Sequence, residues 1–341
     1  MAHSDNARAS HGTRMRSPMC VELDFVKGHC GWDVVTLVPD GQVPPDQALE
    51  CALKIVNAPF DGGLEVGLMS VGPRPQEIRL RMVSSTARDW IPMCGGMTQV
   101  IGKALVETNL GRLFNLDRSQ AALHLDLLTD SGAIPIRVDV REGRAESVTT
   151  TMDRYVAYCF ERGVEALCID DVPLLRIGDY AVLQMEDLER CFPGMLFTSR
   201  RFGPALDLVH GILRRFGERY GMSGVTGMLY DRRPEGPGHF RAFPRFYSED
   251  LAAARLPWEF QCGTGSIAVA IALAHVKQLP FTQLRGEVLL EWGSYRQTPD
   301  PYGIRTSRVD LAVEGDRVIN AAFSHSVIEI LAEGKLNVPV R

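Results

Sequence analysis

Residues 262–273 read Cys-Gly-Thr-Gly-Ser-Ile-Ala-Val-Ala-Ile-Ala-Leu. From Ile267 to Ala274 no side chain is polar, so a helix there is apolar on all sides and must be enclosed by its own protein. The run is far short of the roughly 20 residues that cross a bilayer, so a membrane span is not expected. The same start occurs earlier, as Met93-Cys94-Gly95-Gly96-Met97-Thr98-Gln99-Val100-Ile101. Asn109 and Gly111 are candidates to close that first helix, and Pro280 limits the second. The pattern predicts two equivalent halves, each presenting a cysteine beside the N-terminus of a buried helix.

The chain is long enough for this. Its 341 residues fit two units at roughly 100–200 residues each. With 37 basic and 42 acidic residues the net charge is −5, which argues against a nucleic-acid binder. Residues 1–19 are polar, basic and Ser-rich with no apolar stretch, and read as a disordered tail, not a secretion signal. A cytoplasmic location with reduced cysteines is therefore expected. The eight cysteines form no C-x-x-C pair and no zinc-ligand spacing, so no metal is expected, and most read as small buried hydrophobes.

Strand patterns fall at 21–25, 34–37, 77–83, 122–128 and 134–140 in the first half. In the second they fall at 164–169, 180–185, 224–230, 287–292, 308–313 and 317–323. Helical spacing marks 44–58 and 205–220, turns mark 27–31 and 129–132, and a long loop covers 231–237. A boundary falls near 145–165, dividing the chain into domains 20–150 and 151–341, with the last residues as candidates to return to the first domain.

Glycines after a cysteine allow close approach of a ligand, and the open N–H groups of a helix start hold an anion. Two such starts facing each other suit a carboxylate. The positive helix ends also lower a cysteine's pKa toward thiolate. A carboxylate held between two sulfurs would have one on each face of its α-carbon. One sulfur could then remove the Cα proton while the other supplies a new one. The bland alternative is two buried cysteines beside turn glycines. Gly263-Thr264-Gly265-Ser266-Ile267-Ala268 also imitates the dinucleotide fingerprint G-x-G-x-x-A. It lies late in the chain, however, and residues 256–261 do not read as a buried parallel strand.

Three motifs carry a resemblance to a family. Phe25-Val26-Lys27-Gly28-His29-Cys30-Gly31-Trp32-Asp33-Val34-Val35 resembles the start of diaminopimelate epimerase, Met93-Cys94-Gly95-Gly96 resembles its first cysteine motif, and Cys262-Gly263-Thr264-Gly265 matches its second. Together they are similar to the superfamily of diaminopimelate epimerase, proline racemase and 2-methylaconitate isomerase. The resemblance implies an α+β fold of two pseudo-symmetric domains, each a curved mixed sheet around a central helix, with the site in the cleft between them. It implies a racemase or epimerase independent of pyridoxal phosphate and of any other cofactor, with Cys94 and Cys262 as the two bases. A double-bond shift in an unsaturated acid by the same proton transfer is the alternative. A non-catalytic carboxylate-binding relative is the third reading, and it leaves the two cysteines without a purpose.

The expected partner is a small carboxylate, with a homodimer as the candidate assembly. Candidate contacts are Gly95, Gly96, Met97, Gly263, Thr264, Gly265, Ser266, Trp32, His29 and Glu259. Glu259 is a candidate for a substrate ammonium. Trp32, Trp90 and Trp258 lie beside the three motifs and suggest an apolar pocket wall, or aromatic packing around turns. Trp32, Gly96 and Met97 stand where family members place polar residues. His124, His210, His275 and His325 have no partner spacing and read as structural.

Overall fold

Two similar passes of strand and helix follow one another along the chain, and the first has one leading strand fewer, a place that the last strand of the chain fills beside the first. The computed structural model describes residues 19–31, 33–58, 63–85, 89–197, 203–232, 238–248, 261–277, 279, 285–292, 305–314 and 317–340. The first pass runs β1 (Met19–Cys30), β2 (Asp33–Pro39), α1 (Ala48–Val56), β3 (Glu65–Val71), β4 (Glu77–Ser84), α2 (Gly95–Glu107), α3 (Leu110–Leu113), β5 (Ala122–Thr129), β6 (Gly132–Arg141) and β7 (Arg144–Thr151). Helix α4 (Asp153–Arg162) leads into the second pass. This comprises β8 (Val164–Ile169), β9 (Val172–Ile177), β10 (Tyr180–Gln184), α5 (Met185–Cys191), α6 (Pro204–Tyr220), β11 (Gly224–Arg232), β12 (His239–Ser248), α7 (Gly263–His275), β13 (Arg285–Trp292), β14 (Arg305–Glu314) and β15 (Arg317–His325). Strand β16 (Ile328–Val340) ends the chain.

The strands join in the order β16-β1-β2-β3-β4-β5-β6-β7-β15-β14-β13-β12-β11-β10-β9-β8. Each half holds two parallel pairs at corresponding places: β2/β3 and β4/β5 in one, β10/β11 and β12/β13 in the other. Thus β2 corresponds to β10, and α2 to α7. Strand β16 returns from the end of the chain to lie antiparallel to β1, from Met19 opposite Val340 to Cys30 opposite Ile328. The halves meet where β7 lies beside β15, with Thr150 opposite Phe323 and Thr151 opposite Ala322.

Period-two alternation decides what each sheet face covers. Val35 and Leu37 of β2, with Ile78, Leu80 and Met82 of β4, pack on α2 in the inner core. Val38, Val66 and Val83 face the other way onto α1. In the second half, Val182 and Met228 belong to the inner core with α7, while Ala181, Leu183 and Leu229 pack toward α5 and α6. The central helices are therefore enclosed, as α7's uniform apolarity requires: Ile267 through Leu273 are all buried. This is the α+β fold expected from the motifs. Among the described residues no helix is long and apolar enough to cross a membrane.

Several elements differ from the sequence reading. The turn expected at 27–31 is strand as far as Cys30, because β2 and β16 both supply backbone partners there. The helix expected over 44–58 begins only at Ala48, after a short 3-10 turn at Pro45–Gln47. Pro45 accounts for the delay, since it disfavours helical backbone at the residue before it, and Pro44 is held extended at ψ 127°. Strands β3, β7, β9, β12 and β16 had no clear pattern of their own and are held by pairing.

Candidate active site

Cys94 and Cys262 occupy the same position in their halves. Each is the N-cap of its central helix in extended conformation, Cys94 at φ −137°, ψ 121° and Cys262 at φ −129°, ψ 114°. Each sulfur accepts a hydrogen bond from the amide three residues on, Met97 N at 3.2 Å and Gly265 N at 3.3 Å. Sulfur thus takes the role that Ser or Asp usually plays at a helix start. The first amides of each helix, those of Gly95 and Gly96 and of Gly263 and Thr264, have no carbonyl a turn earlier to bond.

The two helix starts come together. A β-carbon on Gly95 would lie 3.2 Å from the Gly263 α-carbon and 3.5 Å from the Thr264 nitrogen. Only glycine permits that approach. Phe323 of β15 packs beside both, so the junction of the halves and the meeting of the helices are one place.

Around this shared frame the surroundings of the sulfurs differ. Asp33, the first residue of β2, accepts a hydrogen bond from the Cys94 thiol at 3.4 Å. Its carboxylate also lies against Gly96, where a β-carbon would come within 2.6 Å of Oδ2. Glu65, the first residue of β3, brings a second carboxylate, and a carboxylate oxygen of Asp33, one of Glu65 and the Cys94 sulfur lie within 4.8 Å of one another. Burial first, and then Glu65 and Asp33, push the Cys94 thiol well above its usual range. This corrects the expectation of a helix-lowered cysteine there: desolvation and two adjacent carboxylates outweigh a partial helix-end charge.

On the other side, Tyr180 opens β10. Its hydroxyl lies 3.6 Å from Cys262 Sγ and 2.6 Å from Thr264 Oγ1, and Thr264 Oγ1 is 3.7 Å from the same sulfur. Cys262 has hydroxyls where Cys94 has carboxylates.

The remaining candidates separate. Gly95, Gly96, Gly263, Thr264 and Gly265 form the paired helix starts. Met97 contributes its amide to Cys94, while its side chain is wholly buried in the inner core. Ser266 turns its hydroxyl back to the Cys262 carbonyl oxygen at 2.6 Å and is buried, so it braces the helix start. His29 is buried on β1 with Nε2 3.2 Å from Glu329 of β16, and burial lowers its pKa despite that carboxylate. Trp90 packs against the core around α1 with the Arg81 guanidinium 4.8 Å over its ring. Trp32, Trp258 and Glu259 lie outside the described residues. Sequence reasoning missed Asp33, Glu65 and Tyr180. Asp33 stood inside a quoted motif, but nothing local distinguished the other two from ordinary strand-end residues.

A buried network ties the site to the junction. Gln99 of α2 donates to Thr150 Oγ1 at 2.6 Å and accepts from the His325 amide at 3.2 Å. His325 is bonded to Ser307, which also accepts from Trp292 Nε1 at 2.6 Å. Burial drives the His325 pKa down to about 3 and holds the ring neutral. The structural role expected for this histidine agrees with these contacts.

No family model and no curated protein matches the chain. Solved structures do. A hydroxyproline epimerase from Agrobacterium vitis, with bound trans-4-hydroxy-L-proline, is similar over 95% of this chain and 94% of its own, at 14% identity and a TM-score of 0.63. A probable proline racemase from Agrobacterium radiobacter K84, with bound carbonate, covers 92% of both chains at 14% identity and a TM-score of 0.59. A methylitaconate-delta-isomerase covers 95% and 97% at 12% identity, with a TM-score of 0.60. The chain has the fold of these proteins, the diaminopimelate epimerase-like fold expected from its three motifs.

Proposed function

We propose that the protein is a racemase or epimerase of a small amino or imino acid, working without pyridoxal phosphate, with Cys94 and Cys262 on opposite faces of the substrate α-carbon. The observation that carries this is the pair of N-cap cysteines on helices that approach closely at Gly95 and Gly263. A substrate carboxylate at the open amides gains charge as the α-proton leaves, so those donors stabilise the transition state more than the ground state. One sulfur takes the proton and the other returns one from the opposite side, which inverts the centre.

The substrate's two charged ends have separate places. Asp33 and Glu65 make the surroundings of Cys94 negative and suit a primary or secondary ammonium group, the role expected of Glu259. The α7 start, faced by the hydroxyls of Tyr180 and Thr264, suits the carboxylate. The fold shared with methylitaconate-delta-isomerase supports the second reading, a double-bond shift in an unsaturated acid by the same proton transfer.

Deuterium exchange separates the two. Reduced protein is incubated in D₂O with pooled L-amino and imino acids, and separately with unsaturated di- and tricarboxylates. Label at Cα of one amino acid with its D-form appearing supports the racemase. Label only in an alkenoic acid supports the isomerase, and uptake in neither pool counts against both.

A further inference from the structure

Both central helices carry a hydroxyl four residues after the cysteine. Thr98 Oγ1 donates to the Gly95 carbonyl oxygen at 2.7 Å, and Ser266 makes a similar bond back to the Cys262 carbonyl. Such back-bonds are ordinary for Ser and Thr in helices. What sets Thr98 apart is the group behind it. Its oxygen is 2.7 Å from Thr150 Oγ1, and Thr150 Oγ1 accepts from Gln99 Nε2 at 2.6 Å. Gln99 Oε1 in turn accepts from the His325 amide of β15, in the other half, at 3.2 Å. Thr98, Gln99 and Thr150 are each wholly buried, so bulk water does not compete for these bonds. In α7 the residue after Ser266 is Ile267, whose side chain has no polar atom to continue such a chain.

Chemistry fixes the direction of every bond. A backbone N–H can only donate, so the Gln99 atom facing His325 is its oxygen and the NH₂ group faces Thr150. Thr98 has one hydroxyl hydrogen and gives it to Gly95, so the hydrogen between the two threonines comes from Thr150. The relay runs one way, from the His325 amide through Gln99, Thr150 and Thr98 to the Gly95 carbonyl. Hydrogen bonds aligned in this way polarise one another where water is excluded. The Gly95 carbonyl and the Gly96 N–H belong to one planar peptide and point in opposite directions, so whatever holds the oxygen aims the N–H. That peptide lies at the α2 start, where Gly95 approaches Gly263 and Gly96 lies against Asp33.

We infer that Gln99 and Thr150 are positioning residues, members of a hydrogen-bond relay that starts in the second half and fixes and polarises the Gly95–Gly96 peptide beside Cys94. Thr150 also sits at the junction itself, opposite Phe323. The alignment of β7 with β15 is thereby transmitted to a donor of the α2 start. The effect on turnover rests on the racemase reading; the relay itself does not.

The chain contains two Gly-Gly pairs, Gly62-Gly63 and Gly95-Gly96. Full-length protein labelled with ¹³C-carbonyl, ¹⁵N-glycine therefore gives two carbonyl–amide cross-peaks by NMR, and Gly62→Ala removes one and assigns both. Thr150→Val should move the Gly95–Gly96 peak upfield in carbonyl carbon and amide proton and leave the Gly62–Gly63 peak in place. Thr150→Ser, which keeps the hydroxyl, should restore the wild-type position. Gln99→Met breaks the relay one step earlier and should move the same peak the same way, and it serves where Thr150→Val does not fold. A Gly95–Gly96 peak that stays in place in these variants overturns the relay. On the amino acid identified by deuterium exchange, Thr150→Val should lower kcat/KM roughly tenfold, mainly through kcat, with Thr150→Ser close to wild type. A wild-type kcat in Thr150→Val overturns the positioning role. The cross-peaks are read without substrate, so failure of deuterium exchange strikes the racemase reading alone.

Discussion

Asp33 and Tyr180 stand at the same place in the two halves of the molecule. Each is the first residue of its strand, β2 or β10, and each is hydrogen-bonded to the N-cap cysteine of its own half, at 3.4 Å and 3.6 Å. The backbone repeats, and the chemistry at the repeated position changes from carboxylate to phenol. Proton transfer with inversion needs a donor and an acceptor at once, and a strictly symmetric pair could not supply both without an outside bias.

Removal of either sulfur should separate exchange from inversion. Cys94→Ala or Cys262→Ala should lower racemisation by roughly 10³-fold or more while allowing label to enter from the remaining face. Chiral chromatography beside mass measurement of Cα deuterium reads the two events independently. Either variant inverting at the wild-type rate refutes the assignment.

Gly95→Ala should act through distance between the helix starts. Its methyl would lie 3.2 Å from the Gly263 α-carbon, a backbone atom that cannot rotate aside, and 3.3 Å from the Phe323 ring. A stability loss of about 1–3 kcal/mol is expected from the overpacking, read by urea unfolding. A drop of roughly 10–100-fold in kcat/KM on the amino acid identified by exchange should accompany it. Unchanged activity would mean that the close approach is not needed.

His325 should make the fold acid-sensitive. Its folded pKa is held at about 3, against about 6.5 for an exposed histidine, so the unfolded chain takes up the proton more readily. That contribution to stability is present above about pH 6.5 and is lost as pH falls toward 3, at up to about 1.4 kcal/mol per pH unit. Urea unfolding at pH 6.5 and pH 5 should show the loss in the wild type and a smaller slope in His325→Gln. Equal slopes would assign the acid sensitivity elsewhere.

Two isoleucines should contrast. Ile267 is wholly buried in α7, and Ile267→Ala should cost roughly 2–5 kcal/mol through lost contacts and a residual cavity. Ile319 on β15 is 47% exposed, and Ile319→Ala should fall within about 0.5 kcal/mol of wild type. Similar costs at both sites would contradict an enclosed α7.

What could be read from the chain was what a short stretch states by itself. The apolar run after Cys262 demands enclosure whatever surrounds it, and Cys-Gly before such a run places a cysteine at a helix start in either half. The alternation in 77–83, 122–128 and 134–140 likewise appears as β4, β5 and β6 within a residue or two at each end. Strand β7 is too polar, and β16 too irregular in its pattern, to stand out, and both exist because β6 and β15, or β1, supply their hydrogen bonds.

The two helices, their capping cysteines and the repeat that relates them were legible in the chain, because helix starts and burial patterns depend on neighbours a few residues away. Which groups meet the sulfurs was settled by long-range pairing. Asp33 and Cys94 are 61 residues apart, and Tyr180 and Cys262 are 82 apart. Sheet pairing brings each strand start to its helix start, and the charge on a thiol depends on what lies within a few ångströms once water is excluded.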